Sequence, residues 1–146
     1  MTVTRQTMTD EQRKSIALEY LKRLDHGQNF YDLFAEDAEL YFPKWGIAYG
    51  IAEIEKLFGE VGSTLKAIKH DYAHFNYIFQ GDTVVIEGTS HGTHASGADW
   101  RAGVTHAGLW CDVFEIRDFK IHRLYIYLDP DYASADTARY PWLGKK

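Results

Sequence analysis

Three side chains have types and positions suited to acid–base chemistry: Asp25, His70 and Asp112. Asp112 lies in the middle of an apolar and aromatic stretch, where a carboxyl group must be paired, hydrogen-bonded or protonated because burying it bare is costly. Strand alternation puts His106 and Trp110 on the same face as Asp112. These residues predict a pocket around Asp112, and the alternative is a pairing of Asp112 on an outer face.

Asp25 and His70 form a second candidate pair. Asp25 falls near the end of the first predicted helix, where a carboxylate meets the unfavourable end of the helix dipole, so a strong partner is expected. His70 is the natural candidate, because a carboxylate fixes the tautomer of a histidine that acts as a general base. The alternative is a plain surface Asp in a turn. Asp129 is explained as an N-cap before Pro130, so it is a weaker candidate for catalysis than Asp25.

The composition indicates a soluble globular protein with an aromatic interior. Of 146 residues, 45% are hydrophobic and 15% aromatic, with 10 Tyr, 8 Phe and 4 Trp, and such residues line pockets for flat organic ligands. The formal charge is −5. The sequence has no clustered stripe of Lys and Arg, so nucleic-acid binding is not expected. The single cysteine, Cys111, excludes an internal disulfide and is expected to be buried.

Neither a metal nor a cofactor is expected. His70 and His74 would lie roughly 13 Å apart at about 3.3 Å per residue, too far to chelate one ion. His91 and His94 point to opposite faces of a strand. No apolar run is long enough to cross a bilayer, and residues 1–10 lack the apolar segment of a signal peptide. We therefore expect a cytoplasmic protein with no membrane contact.

The first half of the chain reads as mainly helical. Thr9 and Gln12 form a capping box, and apolar residues then follow at helical spacing as far as Leu24. The elements predicted next are a short helix at Phe30–Phe34, a strand at Ala38–Phe42, a loop at Lys44–Gly50 and a third helix from Ile51 to about Leu65.

The second half reads as sheet. The predicted strands are Ile68–Gln80 with a β-bulge near Ala73, Thr83–Ser96, Val104–Ile116 after a loop at Gly97–Gly103, and Ile121–Leu128. A short helix is predicted at Asp131–Ala138. Helices first and antiparallel strands afterwards indicate an α+β fold. Mid-strand glycines favour a sheet bent around the helices. We expect one domain over residues 1–146, with a core at about 9–129 and a C-terminal extension from 130.

This order resembles the cone-shaped α+β barrel shared by nuclear transport factor two, ketosteroid isomerase, scytalone dehydratase and SnoaL-like polyketide cyclases. The resemblance runs from about Thr9 to Asp129, and four features carry it: Tyr20–Asp25, Leu33–Ala38, Gly50 before the third helix, and Asp112–Phe114 through Lys120-Ile121. It implies helices packed in a strongly curved, mixed and mostly antiparallel sheet.

The resemblance also implies roles for the candidate residues. Tyr20 resembles the isomerase tyrosine that donates to the substrate oxyanion, and Asp112 resembles its protonated partner. Asp25 matches by position an aspartate that orients a histidine in scytalone dehydratase. Where the isomerase carries its general-base aspartate, this chain has Phe42 flanked by Tyr and Pro. Steroid isomerisation itself is therefore not indicated.

The functional expectation is a cofactor-independent cyclase, isomerase or dehydratase acting on a small carbonyl or polycyclic compound. In it, Tyr20 and Asp112 stabilise an enolate-like oxyanion, and His70, supported by Asp25, moves the proton. A small hydrophobic or aromatic ligand is expected to contact five further residues: Phe42, Trp45, His106, Trp110 and Tyr125. The alternative is a non-catalytic ligand-binding or dimerisation module. Because both faces of the last strand look buried, a homodimer through the sheet is expected.

Overall fold

The fold consists of two α-helices and eight strands in a computed structural model. The structure describes residues 7–137, 139–140 and 142. The elements in chain order are α1 (Asp10–Asp25), β1 (Phe34–Phe42), β2 (Gly46–Tyr49), α2 (Gly50–Ser63), β3 (Leu65–His70), β4 (Asn76–Gln80), β5 (Thr83–His94), β6 (Asp99–Arg101), β7 (Leu109–Arg117) and β8 (Lys120–Leu128). Two short 3₁₀ helices are added at Tyr31–Leu33 and Tyr72–His74.

Helix α1 begins at the predicted capping box. The Thr9 hydroxyl accepts from the Gln12 N–H at 3.1 Å, and the Gln12 side chain accepts from the Thr9 N–H at 2.9 Å. Both bonds satisfy backbone donors that a helix N-terminus otherwise leaves open. Ala17, Tyr20 and Leu21 share the buried face of the helix. This face directs Tyr20 into the interior of the protein.

The strands form a mixed, mostly antiparallel curved sheet in the order β2-β1-β8-β7-β5-β3, with β4 and β6 also paired to β5. Only the β1–β8 pairing is parallel among the strand pairs described. Two helices packed against such a sheet confirm the predicted fold class. The sheet is open, because β2 and β3 stand at its two ends, so it forms an incomplete cone rather than a closed barrel.

Strand β5 passes close to large aromatic side chains at Gly88. A Cβ added at Gly88 would lie 2.8 Å from both Phe75 Cδ1 and Trp110 Cζ2, closer than van der Waals contact allows. Glycine at this position lets two rings pack directly on the backbone. Among the described helices, none is long and apolar enough to cross a membrane.

Several local predictions are wrong. The extended segment at Ile68–Gln80 is broken by the 3₁₀ helix at Tyr72–His74 rather than bulged, because β3 pairs with one half of β5 and β4 with the other. The predicted loops at Lys44–Gly50 and Gly97–Gly103 each contain a short strand. The described part of Asp131–Ala138 forms turns instead of a helix, and Ala138 lies outside the described residues.

Candidate active site

The structure brings Asp25 and His70 together. Asp25 is the last residue of α1, and His70 is the last residue of β3. The Asp25 carboxylate lies 2.6 Å from His70 Nδ1 and also accepts from the His70 backbone N–H at 3.0 Å. Both side chains are buried, with 6% of Asp25 and 7% of His70 exposed. The second bond, from the backbone, fixes the position of the carboxylate relative to the ring.

Tyr72 is a third partner of the same carboxylate. Its hydroxyl donates to Asp25 Oδ2 at 2.8 Å, so Asp25 accepts three hydrogen bonds. Burial by itself raises the pKa of Asp25, but the hydrogen bonds and charge of His70 and the Tyr72 hydroxyl outweigh burial and hold this pKa below its usual value. Burial and the neighbouring Asp25 raise the pKa of Tyr72. Asp25 is therefore an ionised acceptor.

The bond to Asp25 also sets the tautomer of His70. When Nδ1–H donates to the carboxylate, the lone pair of the neutral ring lies on Nε2. His70 lines a cavity between the helices and the sheet, described below. An imidazole oriented in this way at a cavity is suited to accept a proton from a bound molecule.

Asp112 lies on the inner face of β7. Trp110, Asp112, Phe114 and Ile116 are all buried there, as strand alternation predicts. The cross-strand neighbours of Asp112 are Ile86 and Ile126, and none of the described residues donates a hydrogen bond to its carboxyl group. Burial raises the pKa of Asp112 well above its usual value. The neutral acid is favoured, and a neutral acid can donate a hydrogen bond.

Tyr20 reaches the same cavity from α1. Its ring is 1% exposed and packs edge-on against Phe30, Phe34 and Phe114. Burial raises the pKa of Tyr20 well above its usual value, with a further contribution from the nearby Asp112. Tyr20 is therefore a neutral donor whose hydroxyl lies within electrostatic range of the Asp112 carboxyl.

The cavity lies between the two helices and the inner face of the sheet, and its volume is about 70 Å³. Its polar groups come from Tyr20, His70, Ser90, Asp112 and Tyr132, and its apolar lining includes Leu21, Leu24, Phe42, Phe58, Ile68, Trp110, Ile126 and Leu128. The lining contains no Lys or Arg. Among the described residues, no group of three His, Cys, Asp or Glu side chains is placed to hold a metal ion.

Two of the five predicted ligand contacts lie in the cavity wall. Phe42 lines it from the end of β1, and Trp110 lines it from β7. The Trp110 ring meets His70 edge-on at 5.1 Å and 89°. This contact fixes one side of the imidazole.

The structure places the other three predicted contacts away from this cavity. Trp45 is 39% exposed, and its indole N–H donates to Glu60. His106 precedes β7 rather than lying in it, and its ring contacts Tyr140. Tyr125 points from the opposite face of β8 and donates to Glu39. The strand starts at Leu109, later than predicted, because the chain turns at residues 103–108.

Sequence reasoning missed two tyrosines. Tyr72 falls within the segment predicted as the strand Ile68–Gln80, and the 3₁₀ turn after β3 is what folds it back onto Asp25. Tyr132 follows Asp129-Pro130, where the turn signal was read as a helix start. It enters the cavity from the C-terminal segment and is 6% exposed. An aromatic residue directly after a turn signal at the end of the last strand was the available clue.

The sequence profile of the SnoaL-like domain matches residues 21–124 of this chain. Because the match covers most of the chain, the protein belongs to the SnoaL-like domain family. A comparison with curated proteins finds no match.

Several solved structures have the same fold, and the proteins in them differ in how they are described. TerC, co-crystallised with polyporic acid, is 20% identical, with 81% of this chain and 92% of TerC covered and a TM-score of 0.67. An NTF2-like protein from Anabaena variabilis is 20% identical, with 87% and 96% covered and a TM-score of 0.68. A candidate polyketide cyclase from Xanthomonas campestris pv. campestris is 15% identical, with 82% and 91% covered and a TM-score of 0.69. These likenesses show the NTF2-like fold alone.

Proposed function

We propose that this protein is a cofactor-independent acid–base enzyme of the cyclase, isomerase or dehydratase type, acting on a small carbonyl compound. The observation that carries the proposal is the buried Asp25–His70 pair, whose 2.6 Å bond orients an imidazole at the cavity that also holds Tyr20 and Asp112. A base and neutral hydrogen-bond donors at one apolar cavity are the groups that enolisation requires.

In the proposed reaction, His70 Nε2 removes a proton from the carbon next to the ligand carbonyl. The electron pair of the broken C–H bond moves into the carbonyl group and forms an enolate. Asp25 stabilises the imidazolium that results, and Tyr20 and neutral Asp112 donate to the enolate oxygen. The imidazolium then returns the proton to another atom of the same molecule. Isomerisation, ring closure and loss of water all begin from such an enolate.

The volume of the cavity favours a small ligand over a polycyclic one. At about 70 Å³, it holds several water molecules, given that one water needs about 10–15 Å³, but it is smaller than the roughly 150 Å³ cavity that admits benzene in another protein. The lining lacks a cation, so nothing in it favours a carboxylate or phosphate ligand. Membership of the SnoaL-like family, the neighbour described as a candidate polyketide cyclase and the ligand complex of TerC are consistent with this proposal.

Proton exchange in D₂O tests the proposal without knowledge of the natural substrate. Butanone, cyclohexanone and 2-tetralone, a series of increasing size, are incubated with the protein, and loss of the α-proton signals is followed by NMR. We expect exchange above the buffer rate for the smaller ketones. In His70→Gln this exchange should fall by about 10²–10⁴-fold, because glutamine has no basic nitrogen.

The matched control is His74→Gln. His74 also pairs with an aspartate, Asp71, at 2.7 Å, but its side chain is 78% exposed. This variant should exchange protons like the wild type. If His70→Gln exchanges protons at the wild-type rate, His70 is not the base. If the wild type exchanges the protons of no ketone faster than buffer does, the enzyme proposal is contradicted.

A second candidate function is ligand binding without catalysis, or dimerisation. Phe42 favours it, because an apolar ring lines the cavity where the isomerase resemblance places a general base. A homodimer through the sheet is proposed on the outer face, where the Tyr41 ring lies 5.7 Å from the Tyr125 ring and 5.7 Å from the Tyr127 ring, between centroids. Sedimentation equilibrium measures this directly, and a monomer at all concentrations would exclude the dimer.

A further inference from the structure

Tyr132 is a buried hydroxyl at the cavity that the proposed mechanism does not use. It is carried by residues 129–137, which we call the C-terminal strap and which follow β8 without forming a helix or strand. The Tyr132 side chain belongs to the buried core and lines the same cavity as Tyr20 and Asp112. The strap therefore contributes a hydroxyl group to the cavity that holds Tyr20 and Asp112.

Side-chain hydrogen bonds hold the strap in place. The Asp129 carboxylate accepts from the Asp131 N–H at 3.0 Å. The Asp131 carboxylate accepts from the N–H groups of Ala135 at 2.9 Å and Asp136 at 2.8 Å. The Ser134 hydroxyl donates to the Asp99 carbonyl at 3.2 Å. The first three bonds shape the strap, and the last ties it to β6.

The Tyr132 ring is fixed by packing. It lies against the Trp100 ring, with centroids 4.9 Å apart and an interplanar angle of 58°, and Trp100 is only 1% exposed. Because the Tyr132 ring is held by Trp100 on one side and by the strap backbone, it has little freedom to leave the cavity wall. Its hydroxyl is therefore presented at a defined place.

The Tyr132 hydroxyl remains free to donate. No described residue accepts its proton, and the same holds for Tyr20. Burial raises the pKa of Tyr132, with further contributions from Asp112 and Asp129, so the hydroxyl stays protonated. Buried polar groups are normally hydrogen-bonded. The cavity therefore holds two tyrosine hydroxyls and a neutral carboxyl group that have no protein partners. Their arrangement indicates that an oxygen atom of a ligand is their shared acceptor.

We propose that Tyr132 is the third hydrogen-bond donor to the ligand oxygen, beside Tyr20 and Asp112. A ketone oxygen has two lone pairs, whereas an enolate oxygen has three. A third donor therefore favours the enolate over the ketone, which is the differential binding that accelerates a reaction. The inference rests on the proposed function, because it deepens the oxyanion part of that site.

The test uses ¹³C-labelled nitromethane as the probe, because it is small enough for a cavity of about 70 Å³ and its ionised form, the nitronate, mimics an enolate. Binding and the ionised fraction of bound probe are measured by ¹³C NMR, which separates the two forms, at a pH below that of half-ionisation in water. We expect the wild type to bind the ionised form. Tyr132→Phe, which removes only the hydroxyl, should weaken binding about tenfold, the effect of one hydrogen bond to a charged group.

Tyr140→Phe is the matched control, since Tyr140 belongs to the same C-terminal region but is 51% exposed. It should bind the probe like the wild type. A second variant, Tyr132→3-fluorotyrosine, keeps the ring and hydroxyl and therefore the fold. Its fluorine NMR signal should shift when the probe saturates the site.

The outcomes separate the inference from the proposed function. If the wild type binds ionised probe while Tyr132→Phe binds it equally well, Tyr132 is not a donor and the oxyanion site stands without it. An unmoved fluorine signal at saturation leads to the same conclusion. If the wild type binds no ionised probe, the oxyanion site itself is contradicted, and the inference fails with it.

Discussion

Removal of the Asp25 carboxylate is expected to destabilise the fold strongly. Asp25→Ala leaves three donors without their acceptor: the His70 backbone N–H, the His70 ring and the Tyr72 hydroxyl. A hydrogen bond to an ionised acceptor contributes about 1.5–3 kcal/mol net. Because some donors can turn toward water, we expect the free energy of unfolding to fall by about 3–4 kcal/mol at pH 7.

Urea unfolding followed by tryptophan fluorescence measures this loss, and Asp71→Ala is its control. Asp71 pairs with His74 at nearly the same distance, 2.7 Å, but both side chains are largely exposed, at 43% and 78%. An exposed pair contributes about 0–1 kcal/mol. The two variants therefore differ in burial and bond number rather than in the chemistry of the pair.

The pH dependence provides an independent check. The pKa of Asp25 is lowered in the folded state, so its stabilisation is fully present above the unfolded value of about 3.9 and is lost as the pH falls through the folded value. The difference between wild type and Asp25→Ala should shrink as the pH falls below about 4. A loss of less than about 1 kcal/mol at pH 7, or one equal to that of Asp71→Ala, would refute the reasoning.

Two further predictions concern stability. Because the pKa of Asp112 is raised in the folded state, wild-type stability should decrease as the pH rises above about 3.9, by about 1.4 kcal/mol for each unit of the shift. Asp112→Asn should remove this decrease in urea unfolding between pH 4 and 8, and a persistent slope would assign it to another group. Gly88→Ala should cost about 1–3 kcal/mol, because the added Cβ meets Trp110 and Phe75 at 2.8 Å. Gly59→Ala, in helix α2 with no atom within 4 Å, should instead stabilise by about 0.5–1 kcal/mol, and equal effects would contradict the packing argument.

Local sequence signals predict the burial and the facing of the candidate residues where these depend on backbone periodicity. Strand alternation put Asp112 on the same face as Trp110, and both are buried on β7. The capping box at Thr9 set the start of α1, and the helical spacing after it brought Tyr20 to the inner face. The position of Asp25 at the helix C-terminus predicted a strong partner on electrostatic grounds, and His70 is that partner.

Positions next to turns were not predictable in the same way. His106 was placed on the Asp112 face because alternation was extended past the true start of β7. Periodicity carries no signal for where a strand begins when the residues before it form turns. Trp45 and Tyr125 are both aromatic, yet residue type alone does not say whether a side chain lies in the cavity or on the outside.

The sequence by itself determined the fold class, the family and the candidates for acid–base chemistry, because these follow from hydrophobic period, helix capping and local charge. Only the tertiary structure decided which groups meet. Asp25 and His70 are 45 residues apart in the chain, and Tyr132 is 20 residues beyond Asp112. Such contacts depend on how β3 crosses the end of α1 and how the strap returns over the cavity. The open sheet, the small cavity volume and the hydroxyl of Tyr132 within it arise from packing between elements, which no local pattern specifies.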